Sequence, residues 1–522
     1  MNVLPPVNRA LSLEIAALEN AARTANKNNA VTPQGTTEAS AVSIATGLTD
    51  SSMATYLSNG SLSNGLPAIT WANSTGDAIS SLMNNDYTSS GMSGRFAGLG
   101  SALLDRFEST GSDYSQSVSY GPPSGAGAYA SLATLPQGKI DLSIKTKSGV
   151  TVEIEMDSEN GGLSVSIKSS GKLSDSERGA IAKLADGFQN AIDGLSGQPP
   201  KLDLSGLTQF DTSAIASVSF KEDISQLNSP NISASYVQDS ASRTLSIKTG
   251  DDNTINLKVD TSNPALWGTS KQRDAAVTSL LKQFDAANAK GHGDAALMSM
   301  FEQGFKQMNE DYGPAAPDAL PGGQDSSSLV TGLADYTASI HDAPGDNAAH
   351  PGETDTFDYD VSQDTSLDVA PDGSGNSGTS GTTGSSDTTG ITQRQSAHLK
   401  ASFHQLMTGA GLKPMTTAMQ PSSYDFTQLD DTAQSTVQLT AERGALVSAT
   451  LNQSTHQTKT DTKHQNGVVT TDVMKPVDTS SKKDLLSILK PSIDNGDAKR
   501  DTPAWELAKT LTNALIQLNA QE

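Results

Sequence analysis

Two runs of polar/apolar alternation constrain this chain more than any other feature of it. In the first, Ile140, Leu142 and Ile144 alternate with polar residues, and Lys147-Ser148-Gly149 turns the chain. Val150, Val152, Ile154 and Met156 alternate again, and Leu163, Val165 and Ile167 do so after Asn160-Gly161. A period of two places one set of side chains on one face of a strand. Asn-Gly suits the positive φ of both central positions of a type I′ turn. Three antiparallel strands are therefore predicted. Ser174-Asp175-Ser176-Glu177 then reads as a capping box opening a helix. Ile181, Leu184, Phe188 and Ile192 form its buried face, with Gly194 placed to end it.

The second run repeats the theme. Strands are predicted near 231–237, 243–249 and 254–260, the last with Ile255, Leu257 and Val259 alternating. A helix over 271–289 follows, with Val277, Leu281 and Phe284 on one side and Gly291 as its stop. A further helix over 294–310 carries Leu297, Phe301, Phe305 and Met308. The string LSIKT occurs at Leu142–Thr146 and again at Leu245–Thr249. Either a β-β-β-α unit is duplicated, or Ser-Ile-Lys-Thr is an edge-strand recipe that arose twice.

The rest of the chain is less patterned. Residues 6–27 read as an amphipathic helix with Leu11, Ile15, Leu18, Ala22 and Ala25 on one face, either packing on its own protein or docking a partner. Residues 28–74 and 109–137 read as loop and linker, and 92–108 as a helix with Phe96, Leu99, Leu103 and Phe107 in a stripe. Residues 313–393 hold thirteen acids and no Lys or Arg, more than half of a formal net charge of −23. Only ten of those 81 residues are Leu, Ile, Val or Phe. Self-repulsion and a missing core predict disorder, and Gly373–Gly390 has the composition of a flexible linker. Beyond it a helix over 395–410, a polar β-meander over 424–473 and a final helix opening at Thr502-Pro503 are expected. The reading is thus a multi-domain α+β protein. It has an N-terminal helical and Ser/Gly-rich region (1–137), an α+β domain (138–312), a disordered acidic linker (313–394) and a C-terminal α+β unit (395–522).

The stretches LSDSERGAIAKLADGFQNAIDGL (173–195), PKLDLSGLTQFD (200–211) and LKQFDAANAKGHGDAALMSMFEQGFKQMN (281–309) resemble a family of uncharacterised proteobacterial proteins. The resemblance lies within about 138–312. It implies a bacterial origin and a shared α+β domain, and no activity.

The chemistry the sequence spells out is sparse. With no cysteine, disulfides, thiol catalysis and Cys-ligated metals are excluded. The acidic charge, with no basic run longer than two residues such as Lys482-Lys483, argues against nucleic acid as a partner. No 18-residue apolar stretch is present to span a membrane. The N-terminus, interrupted by Arg9, Glu14 and Glu19 and lacking a basic start, is not expected to be a cleaved signal peptide. G-x-S-x-G, Walker, dinucleotide and H-E-x-x-H motifs are missing.

Several groups remain to be weighed. His341, His350, Glu353, Asp355, Asp358 and Asp360 could hold a divalent ion, but match no EF-hand spacing and read as a solvated acidic tract. His456 and His464 would share a face only on an unbroken strand, which Asp461 and Asn466-Gly467 argue against. His292, between Gly291 and Gly293, reads as a structural turn rather than a base. Glu153 and Glu155 share a strand face at a spacing near that of glycosidase carboxyls, and also as any solvated sheet face would. Trp71, Trp267 and Trp505 are isolated, with Trp267 expected to anchor a core. No residue is therefore assigned a catalytic, cofactor-binding or metal-binding role, and no cofactor is expected. The functional expectation is a non-catalytic bacterial binding protein with protein partners, exported without a cleaved signal (type III effector-like) or appendage-associated. The alternatives are a hydrolase with its site in 138–312 and a cytoplasmic scaffold.

Overall fold

The computed structural model describes residues 69–120, 135–159, 161–225, 229–250, 252–310, 312–314, 319–342, 352–369, 388–408, 411–414, 423–465, 468–494, 500 and 502–513. All belong to one compact unit, Pro67–Glu522. The helix expected over 6–27, most of 28–74, His350 and most of the 373–390 linker lie outside the described residues.

The fold is a mixed α+β arrangement built on one antiparallel sheet. Its strands are β1 (Ile69–Trp71), β2 (Tyr114–Tyr120), β3 (Gln137–Thr146), β4 (Thr151–Ser158), β5 (Leu163–Ser169), β6 (Ile215–Ser225), β7 (Ile232–Gln238), β8 (Ser242–Thr249), β9 (Asn253–Asp260), β10 (Asp335–Asp342), β11 (Thr356–Val369), β12 (Thr388–Thr408), β13 (Gly411–Pro414), β14 (Ser423–Glu442), β15 (Ala445–Gln465), β16 (Val468–Val473) and β17 (Val477–Asp484). Pairing runs β1-β2-β5-β4-β3-β6-β7-β8-β9-β10-β11-β12-β14-β15. β16 and then β17 lie along the far side of β15, and the short β13 pairs with the end of β12.

The helices follow the local signals. Those before and within the first alternating region are α1 (Ala78–Asp86), α2 (Met92–Arg95), α3 (Leu99–Thr110), α4 (Asp175–Ala182), α5 (Ala185–Leu195) and α6 (Ser205–Thr208). The single helix expected over 92–108 is broken at Gly98, whose φ of 68° belongs to the left-handed region. The Ser174/Glu177 capping box forms as expected at the start of α4. Next come α7 (Ser270–Gly291), α8 (Ala295–Met308), α9 (Gly323–Ser327), α10 (Leu485–Asp494) and α11 (Pro503–Asn513).

Alternation along each strand sorts the sheet into two faces. One buries Ile140, Leu142, Val152, Ile154, Phe220, Leu245, Ile255, Tyr336, Tyr359 and Leu399 under Phe107, Phe188, Phe284, Phe301 and Phe305 of the helices. The ring of Phe284 lies 5.1 Å from those of both Phe301 and Phe305, which locks α7 to α8 over the sheet. A second core at the other end of the long strands gathers Ile391, Val437, Leu439, Leu451, Leu485, Leu489 and Trp505. Between the two cores lies a buried layer of amides and hydroxyls. Gln395 donates to Gln363 at 3.2 Å, Thr331 donates to Gln363 at 2.8 Å, and the Thr331 backbone N–H bonds Gln393 at 3.0 Å.

Three expectations are corrected. Residues 335–342 and 356–369, inside the stretch expected to be disordered, are β10 and β11, and β9 pairs with β10 and β11 with β12 across the expected bounds. Few apolar residues lie there, but they are spaced two apart. Tyr336, Ala338 and Ile340 and then Phe357, Tyr359 and Val361 point into the core, while Asp358, Asp360 and Asp364 point out; Asp342, at the end of β10, is buried and accepts from Asp294 N–H. Residues 395–410 belong largely to a strand rather than a helix. Residues 114–120, expected in a linker, form β2. The two LSIKT copies occupy internal strands, the first strand of its triplet (β3) and the middle strand of the other (β8). That misalignment opposes a simple duplication, and neither copy is an edge.

Candidate functional site

Among the described residues, no helix covers the middle strands on the second face of the sheet. Here the outward positions are hydroxyls, amides and single charges. Thr244 of β8, Asn256 and Lys258 of β9, Thr337 and Ser339 of β10, Asp360 and Ser362 of β11, Ser396 and His398 of β12, and Thr432 and Gln434 of β14 line a shallow trough of about 520 Å³. Six neighbouring strands at about 4.8 Å spacing make it roughly 24 Å across. Cross-strand pairs stiffen its floor: Ser362 and Ser396 share a hydrogen bond of 2.7 Å, and His398 Nε2 lies 2.9 Å from Asp430. Burial pushes the Asp360 carboxyl up; His398 opposes that shift and Asp358 adds to it. Among the described residues no helix is long and apolar enough to cross a membrane.

A charged cluster closes one end of this face. His404 of β12, Tyr424 and Phe426 of β14 and His464 of β15 sit side by side because β12, β14 and β15 are in register there. Residues 353–355, which lead into β11, fold over them. His404 is 4% exposed; its Nδ1 lies 2.5 Å from Asp355 Oδ1 and its Nε2 3.2 Å from Glu353 Oε2. Tyr424 donates to Glu353 Oε2 at 2.9 Å, and the ring of His464 stacks on Tyr424 at 4.2 Å with its Nε2 2.9 Å from Glu353 Oε1. Burial drags the His404 imidazole down, and the hydrogen bonds and charges of Asp355 and Glu353 more than offset it, so its pKa is raised. Both His404 ring nitrogens face carboxylates, so the cluster fastens residues 353–355 to the sheet.

The groups singled out from sequence are distributed as follows. His341 pairs with Asp358 across β10 and β11. Asp360 lies in the trough, whereas Glu353 and Asp355 turn to His404. Among the described residues no group of three or more His, Asp or Glu is arranged to hold a metal ion. His456 and His464 do share a face, because β15 is continuous through Asp461 and turns only after Gln465, contrary to the broken strand expected. His456 pairs with Asp478 at 2.6 Å. His292 caps α7 with φ 57°, its ring 4.1 Å from that of Phe403, and burial pulls its pKa down. Glu153 and Glu155 stand on the solvated face of β4, and the Lys139 hydrogen bond at 2.8 Å holds Glu155 below the usual carboxylate range. That shift is the opposite of what a general acid needs. Trp267 packs on Tyr312 with ring centres 5.6 Å apart, and Trp505 is buried in the second core.

Sequence reasoning passed over the trough and His404. Thr337/Ser339, Asp360/Ser362, Ser396/His398 and Thr432/Gln434 each repeat at a spacing of two, a readable signal of a solvated strand face. Compared with protein-family models, curated proteins and solved structures, the chain matches none. The resemblance over 138–312 implied no activity and assigns no role to any residue here.

Proposed function

We propose that this chain is a non-catalytic binding protein that receives a protein partner on the helix-free face of its sheet. The observation that carries the reading is the trough of hydroxyl, amide and charged side chains across β8–β14, which no helix among the described residues covers. Its chemistry argues for a macromolecular partner. Each hydroxyl or amide contact is worth only about 0.5–1.5 kcal/mol net, so affinity must come from many contacts over a wide area. A stable protein interface takes roughly 800 Å² from each side, more than the trough alone offers, so the partner would also cover the solvated strand surface that flanks it. Lys258, Asp360 and His398 give the trough both signs of charge, which suits a mixed protein surface better than a polyanion.

Export without a cleaved signal remains part of this proposal on compositional grounds, since a cysteine-free chain forms no wrong disulfide. Fusing residues 1–50 to a reporter in wild-type and secretion-deficient cells tests it; equal retention in both removes the type III version.

The binding proposal is tested by immobilising the whole protein beside two variants, Thr337→Arg with Gln434→Arg in the trough and Ser176→Arg on the exposed side of α4. A protein retained by the wild type and the α4 variant and lost from the trough variant supports the assignment. Identical retention on all three overturns it.

A further inference from the structure

The sheet has two ends, and they differ. Among the described residues, β1 (Ile69–Trp71) ends the sheet on one side, paired with β2. At the other end the chain lays β16 and then β17 along β15. β17 carries Lys482 and Lys483, charges of the kind that protect an edge. β16, with the sequence VVTTDV, is exposed at every position, and among the described residues it pairs with β15 alone. Val468, Val469, Val473 and the adjoining Met474 are 63%, 57%, 69% and 40% exposed.

The register of the β15–β16 hairpin fixes which backbone groups point outward. Met474 N–H bonds Lys459 C=O at 3.0 Å, and Thr460 lies opposite Val473. Antiparallel pairs alternate between bonded and non-bonded. The even-numbered residues of this strand therefore turn their N–H and C=O toward β15. Val469, Thr471 and Val473 turn theirs outward.

We propose that β16 pairs with β16 of a second copy of this chain, antiparallel about a two-fold axis at Thr471, making one sheet from two. The sequence complements itself in this register alone among its neighbours. With Thr471 opposite Thr471, Val469 faces Val473 on one side of the sheet and Val468 faces Met474 on the other, so every exposed apolar residue of the edge meets another. The outward groups of Val469, Thr471 and Val473 then meet one another, giving about six backbone hydrogen bonds. Asp472 faces Thr470 rather than its own copy. Shifting the axis to Asp472 sets the two carboxylates directly opposite, which is destabilising. Shifting it to Thr470 leaves the valines unmatched.

The experiment uses the full chain in sedimentation velocity up to about 100 μM. The wild type is expected to move from 54.1 kDa to about twice that mass as concentration rises. Thr471→Pro removes only an N–H that faces away from β15, and proline is tolerated on an edge strand, so this variant should remain monomeric with an unchanged circular dichroism spectrum. Val469→Lys with Val473→Lys should do the same if the proline variant misfolds. Because the chain has no cysteine, register can be read covalently. Thr471→Cys places two Cα atoms about 5.5 Å apart across a bonded pair, within disulfide reach, and should give a cross-linked dimer on mild oxidation. Thr479→Cys on β17 should not. A wild type that stays monomeric overturns the proposal, even if the edge captures some other strand. So does a dimer that survives both edge variants, or a Thr471→Cys dimer that fails to cross-link.

Discussion

Glu222 should be a liability to the fold, and replacing it should stabilise the protein by an amount that grows with pH. It lies on β6 between Ile140 of β3 and Ala234 of β7, facing the helix-covered core. It is fully buried, and neither carboxylate oxygen has a hydrogen-bond partner. Burial pushes its pKa well above the usual carboxylate range, and the nearby charges of Asp193 and Asp223 push it further. The folded chain thus keeps a proton that the unfolded chain releases above about pH 4.3. Stability then falls as pH rises, by about 1.4 kcal/mol per pH unit, until the folded-state carboxyl itself ionises. Even when neutral, an unsatisfied buried polar group costs roughly 1–3 kcal/mol. Glu222→Met keeps a similar volume and removes both costs. The expected gain is about 1–3 kcal/mol at pH 5, increasing by about 1–3 kcal/mol by pH 7. Urea unfolding followed by circular dichroism at pH 5, 6, 7 and 8 measures it. If the two proteins show parallel pH dependence, or the variant is the less stable at pH 7, the reasoning fails.

Three further outcomes follow from the same structure. His404→Gln should lower stability by about 1.5–3 kcal/mol at pH 6; because the folded imidazole pKa is raised, the tie is fully present below the ordinary histidine value and is lost as pH rises through the folded one, so urea midpoints of variant and wild type should converge by alkaline pH. Glu302 on α8 has its pKa pushed up to about 7, first by burial and then by the Asp285 carboxylate beside it, so Glu302→Gln should flatten the decline in stability between about pH 4.3 and 7, read from thermal midpoints across that range. Gly187→Ala on α5 would put a Cβ 2.5 Å from backbone atoms of Gly206 and should cost about 1–3 kcal/mol or more, whereas Gly149→Ala, in open space but at φ 91°, should cost only its backbone strain; urea titrations of the pair separate the two effects.

What the sequence revealed and what it hid have physical causes. The hairpins at 138–169 and 231–260 were legible because each strand alternates without interruption and each turn carries its own chemistry. The Ser174/Glu177 cap was legible because capping is local. β10 and β11 were hidden by averaging. A count of Leu, Ile, Val and Phe over 81 residues ignores Tyr336, Ala338 and Tyr359, and it cannot see that on β11 Asp358, Asp360 and Asp364 alternate with Phe357, Tyr359 and Val361. Thirteen negative charges repel strongly only if they crowd together. On β11, Asp358 bonds His341 and the acids are spread two or four residues apart along the strand rather than crowded together. His404 was invisible for a related reason. Its carboxylate partners lie about fifty residues away and reach it only after β11 has paired with β12, so no local spacing could announce the cluster.

The same logic separates the two surfaces proposed for binding. The trough repeats polar residues every second position, a pattern that any solvated sheet face shows, so its claim rests on openness and breadth and needs a partner to prove it. The β16 edge breaks that pattern with three exposed valines and a methionine in seven residues, and a solvated edge has no physical reason to hold them. A sheet that guards β17 with paired lysines, yet leaves β16 apolar and self-complementary about Thr471, is built as though that edge were covered. The chain itself supplies the one strand whose sequence is certain to fit.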